Sequence, residues 1–407
     1  MYWEQLSHEE IKDRVFGALK QNRDYRNDVI LGLPASYLDN EQFYTDAPFL
    51  AEAPFLSTMV ANPNHIGVHT MGHQQEEVFA GTQKIEVDLI KLITEQIFKA
   101  EENSCDGYVA SGGTEANIEA QWIYRNYFMK EHGAKHNEIA VVYSTDAHYS
   151  LPKGANLLAI KSIIAEVDDN TRQIKLDDLD TKIKAAQAEG VKHFIVVANM
   201  STTMFGSVDD IKPLTAYFKE NSLPFKLHLD GAYGGFIYPF TADDADYSFK
   251  NPDVSSITID GHKMLQSPYG TGIFVCRKGL MQFVETKEAQ YVQGLDYTLI
   301  GSRSGANAIS VWMILMNHGS EGWKYKMKTL QDRTQRLCKR LEAMGVEYYN
   351  NKNINIVTMR AKHITPEIAH KYMLVPDTHE GQPNWYKIVM MAHVRQGVID
   401  RFVEELK

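Results

Sequence analysis

The sequence predicts an α/β protein with a mostly parallel sheet that is covered by helices on both faces. Short apolar runs rich in β-branched residues alternate with helical segments through the middle of the 407-residue chain, which is typical of parallel strands joined by helical crossovers. Hydrophobic residues make up 44% of the chain and aromatic residues 11%, enough for a sizeable core. A chain of this length predicts one large domain with appendages, or two domains.

Charge and composition exclude several classes of function. The formal net charge of −10 leaves no general basic field for a nucleic acid or an anionic membrane, so neither partner is expected. The sequence contains no run of about 18 to 20 apolar residues, and residues 1–5 do not resemble a secretory signal, which predicts a cytoplasmic protein. Cys105, Cys276 and Cys338 are widely spaced and odd in number, which indicates reduced thiols.

The elements can be assigned in chain order. Residues 1–75 have little periodicity, and we expect this segment to wrap another subunit or to line a pocket. Apolar residues at helical spacing then predict a helix over 85–97. The large domain, assigned to 76–305, is predicted to contain strands at 107–110, 139–143, 194–198, 226–229, 256–259 and 272–275, with helices at 114–129, 176–188 and 208–219.

The C-terminal part, assigned to 306–407, is predicted to be a small α+β domain. A long helix over 310–344 leads into strands at 353–359 and 386–391, and a helix over 398–406 closes the chain.

The first chemical motif is Ser111-Gly112-Gly113-Thr114, which lies between a strand and a helix. Glycine lets the backbone approach a ligand closely, and the free N–H groups at a helix start suit a phosphate. The alternative is a tight strand-to-helix turn in which Thr114 is the N-cap.

Three further side chains follow predicted strands. Asp230 ends a buried strand and needs a cationic partner, which a protonated ring nitrogen would supply, although it could simply cap a turn. Lys263 follows an apolar strand, where burial lowers the pKa of an amine and frees it to attack a carbonyl, although it could be a surface lysine. His148 offers a flat ring for stacking and a titratable nitrogen, or a structural role only.

These four motifs are weak individually and specific together. Because the carboxyl ends of parallel strands lie at one edge of the sheet, we expect all four motifs to meet there. Ligands bind at this edge in such sheets. A single ligand with a phosphate, an aromatic ring, a basic ring nitrogen and an aldehyde satisfies all four. That description fits pyridoxal 5′-phosphate (PLP).

From about Ile85 to the C-terminus the chain resembles the group II PLP-dependent decarboxylases of fold type I, nearest the compact histidine-decarboxylase-like branch. The motifs behind this resemblance lie at 146–150, 301–305, 351–353 and 392–393. It implies an aspartate-aminotransferase-like fold with a seven-stranded sheet and a small C-terminal domain. It also implies a homodimer whose active site is shared between the subunits, and an amino-acid substrate that is converted to its amine and carbon dioxide.

The resemblance assigns a role to individual residues of this sequence. Lys263 would bind the cofactor aldehyde, His148 would stack on the ring and Asp230 would hold the ring nitrogen. The remaining cofactor contacts would be Gly113 and Thr114 at the phosphate, Ala232 on the ring face opposite His148, His262 beside the lysine, Thr202 near the ring hydroxyl, and Ser302 reaching the phosphate from the neighbouring subunit.

The sequence departs from the family pattern at two positions. It has Asp230-Gly231-Ala232 where many relatives have Asp-Ala-Ala, and Ser201-Thr202-Thr203 where Gly-Thr-Thr is common. Both changes are small in volume.

The proton donor and the substrate are less sharply defined. Relatives often use a tyrosine on a mobile loop, and here Tyr291 is preferred to Tyr297, although either could pack at an interface.

Strand 387–391 contains no arginine, which favours a neutral, aromatic or histidine-like substrate over an acidic one. His65 could line the substrate pocket or be an ordinary loop histidine. Arg360 and Arg395 could be carboxylate clamps or plain exposed arginines.

Three other functions remain open at this stage: a carbon–carbon lyase of the sphingosine-phosphate-lyase kind, an aminotransferase, and a scaffold without activity. A Rossmann-type dehydrogenase is set aside, because its G-x-G-x-x-G turn is missing after strand 107–110.

Overall fold

The computed structural model describes residues 29–32, 41–42, 55, 58–59, 63–72, 79–288 and 295–406. Most of the N-terminal segment, and Tyr291, lie outside these residues. Within them, the chain forms a seven-stranded sheet followed by a four-stranded sheet. The division into domains at 305/306 stays a prediction.

The large sheet has the strand order β1-β7-β6-β5-β4-β2-β3. All neighbouring pairs are parallel except those of β7, which is antiparallel to both β1 and β6. Every residue of β2, β4 and β6 is buried, as expected for strands that are covered on both faces. The strands are β1 (Cys105–Ala110), β2 (Ile139–Ser144), β3 (Lys161–Ala165), β4 (His193–Asn199), β5 (Phe225–Gly231), β6 (Val254–Asp260) and β7 (Gly272–Arg277).

Helices connect and cover these strands. They are α1 (Ala80–Lys91), which continues as a π-helical turn (Leu92–Ile97), then α2 (Gly113–His132), α3 (Ser150–Leu157), α4 (Leu176–Ala188), α5 (Ile211–Glu220) and the short α6 (Tyr238–Thr241). The predicted helix 208–219 begins three residues late, because the Asp210 side chain accepts a hydrogen bond from Lys212 N and caps the helix there.

The C-terminal part contains a long helix and a small antiparallel sheet of order β10-β11-β9-β8. The long helix is bent at Gly319, whose φ of 59° is left-handed. The elements are α7 (Gly305–Ala343), β8 (Tyr348–Tyr349), β9 (Ile356–Arg360), α8 (Pro366–Lys371), β10 (Val375–Pro376), β11 (Trp385–Val389) and α9 (Gln396–Glu405).

The predicted architecture is confirmed: a mostly parallel seven-stranded sheet with a small α+β unit after it. The strand order brings the carboxyl ends of β1, β2, β4, β5 and β6 to one edge of the large sheet, where we expected the ligand. No helix of the described residues is long and apolar enough to cross a membrane.

Candidate active site

The turn after β1 leaves no room for a side chain at Gly113. A Cβ atom there would lie 2.9 Å from Asp260 Oδ2 and 3.1 Å from Ala232 Cβ. Gly112 is the N-cap of α2, so Thr114 is in the first helical turn and does not cap the helix. The predicted phosphate-binding turn is thus packed directly against the ends of β5 and β6.

The predicted cofactor residues line two adjoining cavities at this edge of the sheet. The first has a volume of about 210 Å³, and its walls include Gly113, Thr114, His148, Ala232, His262 and Lys263. The second shares His148, Ala232 and Lys263 with the first and is also lined by Thr202 and Asp230. Eight of the nine residues predicted to bind the cofactor therefore lie together.

The amine of Lys263 is ion-paired with the last residue of β6. Its Nζ lies 3.0 Å from Asp260 Oδ2, and the carboxylate is buried. Burial lowers the pKa of Lys263, but the carboxylates of Asp260 and Asp230 outweigh burial, so the pKa lies above the usual value for lysine. The expectation that burial lowers this pKa was therefore wrong for the cofactor-free chain, because it left out the acid three residues earlier.

His148 is held by the start of α3. Its Nδ1 accepts a hydrogen bond from Ser150 N at 3.2 Å, and Ser150 Oγ is 2.9 Å from the same atom. Burial lowers the pKa of His148, and the Asp230 carboxylate opposes this shift only in part. The imidazole is therefore neutral near pH 7 and carries its proton on Nε2. The Tyr149 ring lies beside it, with 4.0 Å between the ring centroids.

Asp230 is a buried carboxylate that only neutral donors hold. Its Oδ2 accepts from Asn117 Nδ2 at 2.8 Å, and its Oδ1 accepts from Ala232 N at 3.1 Å. The side chain is 5% exposed, and within the described parts of the chain no lysine, arginine or histidine nitrogen comes within ion-pair distance. A buried carboxylate that makes no direct ion pair is costly, so this site suits a ligand that brings a positive charge.

The arrangement fits PLP. A lysine amine, a buried acid without a direct ion pair, a flat neutral imidazole and a small Ala232 side chain surround the two adjoining cavities, and a glycine turn at a helix start borders them. These are the groups that an aldehyde, a basic ring nitrogen, an aromatic ring and a phosphate require.

Ser302 is the one predicted cofactor residue outside these two cavities. It is exposed, and its Oγ accepts a hydrogen bond from Asn64 Nδ2 at 3.1 Å. Such a position leaves Ser302 accessible to a second subunit.

His65 and Arg360, which were also considered from the sequence, do not line the two cavities. His65 is fully buried, and its Nδ1 lies 2.5 Å from the Glu86 carboxylate, which is also paired with Arg303. Arg360 pairs with Asp169 and stacks 3.7 Å from the Trp385 ring centroid.

Arg395 and Tyr297 do not line the two cavities either. Arg395 is exposed at the start of α9. Tyr297 is 4% exposed and packs in the core cluster that includes Tyr108 and Phe274. The favoured Tyr291 lies outside the described residues.

Three residues of the site were missed from the sequence. Asn117 lies one turn into α2, Asp260 ends β6, and His228 precedes Asp230 by two positions in β5. A signal existed for His228, because residues two apart in a strand point to the same face. The contacts of Asn117 depend on how α2 packs on the sheet, which the sequence pattern does not specify.

Comparison with known proteins identifies the family. Residues 54–362 match the model of the pyridoxal-dependent decarboxylase conserved domain, well over half of the chain. The chain belongs to the pyridoxal-dependent decarboxylase family. The resemblance and the PLP cofactor predicted from the sequence are thereby confirmed, and the chain is an amino-acid carboxy-lyase.

Individual relatives agree with this assignment. This decarboxylase is 46% identical over 406 residues to the tryptophan decarboxylase of Clostridium sporogenes, covering 100% of this chain and 97% of the relative. It is 34% identical over 269 residues to the histidine decarboxylase of Morganella morganii, covering 65% of each protein. Both alignments are with amino-acid decarboxylases.

A solved structure shows the same fold. The sphingosine-1-phosphate lyase of Burkholderia pseudomallei superposes with a TM-score of 0.80 at 19% identity, covering 100% of this chain and 91% of the lyase. That likeness concerns the fold alone, which is fold type I. The family match decides the reaction, so the carbon–carbon lyase and aminotransferase alternatives are set aside.

Proposed function

We propose that this decarboxylase converts an aromatic L-amino acid, with tryptophan as the first candidate, into the corresponding amine and carbon dioxide. The observation that carries the proposal is the meeting of Lys263, His148 and Asp230 around two adjoining cavities, although these residues come from three separate strand ends. The full-length similarity to a tryptophan decarboxylase supports the aromatic substrate.

In this proposal each side chain has one task. PLP supplies an electron sink for the electron pair that is released when the carboxylate leaves. Lys263 would hold the cofactor through its amine. The Asp230 carboxylate stabilises positive charge at the ring nitrogen. His148 and Ala232 would hold the two faces of the ring, with His148 neutral because burial lowers its pKa.

The remaining contacts complete the proposed cofactor site. Gly113 and Thr114 offer the N–H groups of the α2 start and a hydroxyl to the phosphate. His262 lines the first cavity and Thr202 the second, and Lys263 lines both, so each of the two residues would contact the cofactor near the lysine. We assign Ser302 to the phosphate site of a partner subunit, which requires a homodimer.

Protonation of the substrate Cα completes the reaction, and we assign it to Tyr291. This tyrosine stays the candidate because Tyr297 is buried in the core cluster of its own chain. The cytoplasmic location remains a prediction from the sequence.

The charges around the site favour a substrate with a neutral side chain. An acidic side chain requires a cationic clamp, and Arg360 is already engaged by Asp169 and Trp385. The amine of Lys387 donates to Thr203 O at 3.0 Å, and burial lowers its pKa to about 8, which weakens it as a permanent cation.

Direct product analysis tests the proposal. The purified chain with PLP is given L-tryptophan, L-tyrosine, L-phenylalanine, L-histidine or L-glutamate in turn, and the amine and carbon dioxide are measured. We expect release from an aromatic substrate, its loss in Lys263→Ala, and its retention in Lys278→Ala, an exposed lysine beyond β7. Release from glutamate alone, or full activity of Lys263→Ala, would overturn the proposal.

A further inference from the structure

We infer that Asn117 and His228 are positioning residues that orient the Asp230 carboxylate through a directional chain of hydrogen bonds. The inference rests on the proposed function, in which Asp230 faces the cofactor ring nitrogen. Asn117 lines the first cavity from α2, and His228 lies two positions before Asp230 in β5. Both are almost completely buried, at 1% exposure for Asn117 and 0% for His228.

The Asn117 amide uses all of its hydrogen-bonding groups at once. Its Nδ2 donates to Asp230 Oδ2 at 2.8 Å and to Ser150 Oγ at 2.9 Å. Its Oδ1 lies 2.9 Å from His228 Nε2. Because both N–H bonds already have acceptors, Oδ1 must accept, and His228 must donate from Nε2.

The hydrogen bonds at His228 Nδ1 are consistent with a proton on Nε2. His228 Nδ1 lies 2.7 Å from Ser256 Oγ, and the Tyr124 hydroxyl donates to the same Ser256 oxygen. Ser256 can therefore give its own hydrogen to Nδ1. Thr258 Oγ1, 3.2 Å from Nε2, shares that donor with Asn117.

These residues form a series of hydrogen bonds that runs from Tyr124 through Ser256, His228 and Asn117 to the Asp230 carboxylate. In each of these bonds the hydrogen points towards Asp230. If the imidazole carried its hydrogen on Nδ1, the Asn117 amide would have to turn over and present its oxygen to Asp230. Burial lowers the pKa of His228 to about 4. The ring therefore stays neutral at neutral pH, and the direction of the hydrogen bonds is kept.

The same amide also links Asp230 to His148, the residue proposed to stack on the cofactor ring. Ser150 Oγ, which accepts from Asn117 Nδ2, lies 2.9 Å from His148 Nδ1. One buried amide therefore fixes the carboxylate proposed for the ring nitrogen and the imidazole proposed for the ring face. A replacement at Asn117 should disturb both groups together.

A matched pair of variants isolates the donor at Nε2. In His228→Gln the side-chain nitrogen can occupy the Nε2 position and still donate to Asn117, whereas in His228→Asn the side chain reaches only the Nδ1 position. We expect the Kd for PLP, measured by equilibrium dialysis, to rise roughly tenfold in His228→Asn and to stay within about threefold in His228→Gln. Equal losses in both variants would overturn the inference.

A control separates this effect from the loss of any buried histidine. His193 is also buried, but it packs between Phe128 and His132, with ring centroids 4.9 and 5.1 Å away. We expect His193→Asn to leave PLP affinity unchanged. A loss of affinity in this variant as large as in His228→Asn would count against a specific role for His228.

A second measurement uses the cofactor-free wild-type chain and needs no variant. Nitrogen-15 NMR of histidine-labelled protein should show His228 neutral, with its proton on Nε2, from pH 8 down to about pH 5. A proton on Nδ1 would overturn the inference even if His228→Asn fails to fold. If instead the wild-type chain binds no PLP, the proposed function fails while this spectrum still decides the hydrogen-bond order.

Discussion

Replacing Asp230 by asparagine should separate the electrostatic role of this residue from its structural one. The change keeps the shape and removes the charge. In the cofactor-free chain the carboxylate accepts from two donors, Asn117 Nδ2 and Ala232 N. An amide can serve only one of them with its oxygen, which costs about 1–3 kcal/mol. The variant also avoids burying a carboxylate that makes no direct ion pair, a gain of similar size.

These two effects should nearly cancel in the folding of the cofactor-free chain and leave a large effect on catalysis. A unit positive charge about 4 Å from the carboxylate interacts with about 4 kcal/mol at an effective dielectric constant of about 20. Loss of that interaction would lower the protonated fraction of the ring nitrogen by up to roughly a thousandfold, and kcat with it, because the protonated ring is the better electron sink. We therefore expect Asp230→Asn to unfold in urea within about 1 kcal/mol of the wild type while kcat falls by two to three orders of magnitude, roughly.

The assay must separate cofactor loss from the loss of turnover. Amine formation is measured at saturating PLP, with occupancy checked by absorbance of the dialysed protein. Asp106→Asn is the matched control, because Asp106 is equally buried but lies near the start of β1, at the opposite end of that strand from the turn that borders the cavities. A kcat for Asp230→Asn within tenfold of the wild type at full occupancy would refute the electrostatic role.

Three further predictions concern stability and cofactor binding. Ser201 has a φ of 88° and a buried hydroxyl without a partner among the described residues, so Ser201→Gly should raise the free energy of unfolding in urea by roughly 0.5–1 kcal/mol; a decrease would contradict the strain. Gly113→Ala should weaken PLP binding measured by dialysis, because its Cβ would lie 2.9 Å from Asp260 Oδ2; unchanged affinity would show that the turn can move. The pKa of His228 is lowered to about 4 in the folded chain, so the unfolded chain binds the extra proton first as the pH falls below about 6.5. Between pH 6.5 and 4 the wild type should therefore lose about 3 kcal/mol of stability relative to His228→Gln, and parallel pH profiles of urea unfolding would contradict this.

Much of the large sheet could be predicted because its central strands are continuous apolar runs. Strands β4 and β6 are buried along their whole length, and both were predicted within two residues at each end. Strand β3 was missed because it lies at the edge of the sheet, where it begins with the polar Lys161 and Ser162 and only two of its five residues are buried. Local composition does not reveal such a strand.

The candidate site could be predicted as far as the topology determines it. Once parallel strands are assigned, Asp230, His148 and Lys263 must share an edge, and they do. Contacts that depend on side-chain packing could not be predicted in this way. The amide of Asn117 meets Asp230 across 113 positions of the chain, and the pKa of Lys263 depends on the distance to Asp260 as well as on burial.

The central claim is that Lys263 binds the cofactor covalently. Borohydride reduction of the PLP-loaded chain, followed by proteolysis and peptide mass analysis, tests it most directly. We expect a single pyridoxyl group on the peptide that contains Lys263, and no such label in Lys263→Ala. A label on another lysine, or a wild-type chain that binds PLP and is never labelled at Lys263, would contradict the account.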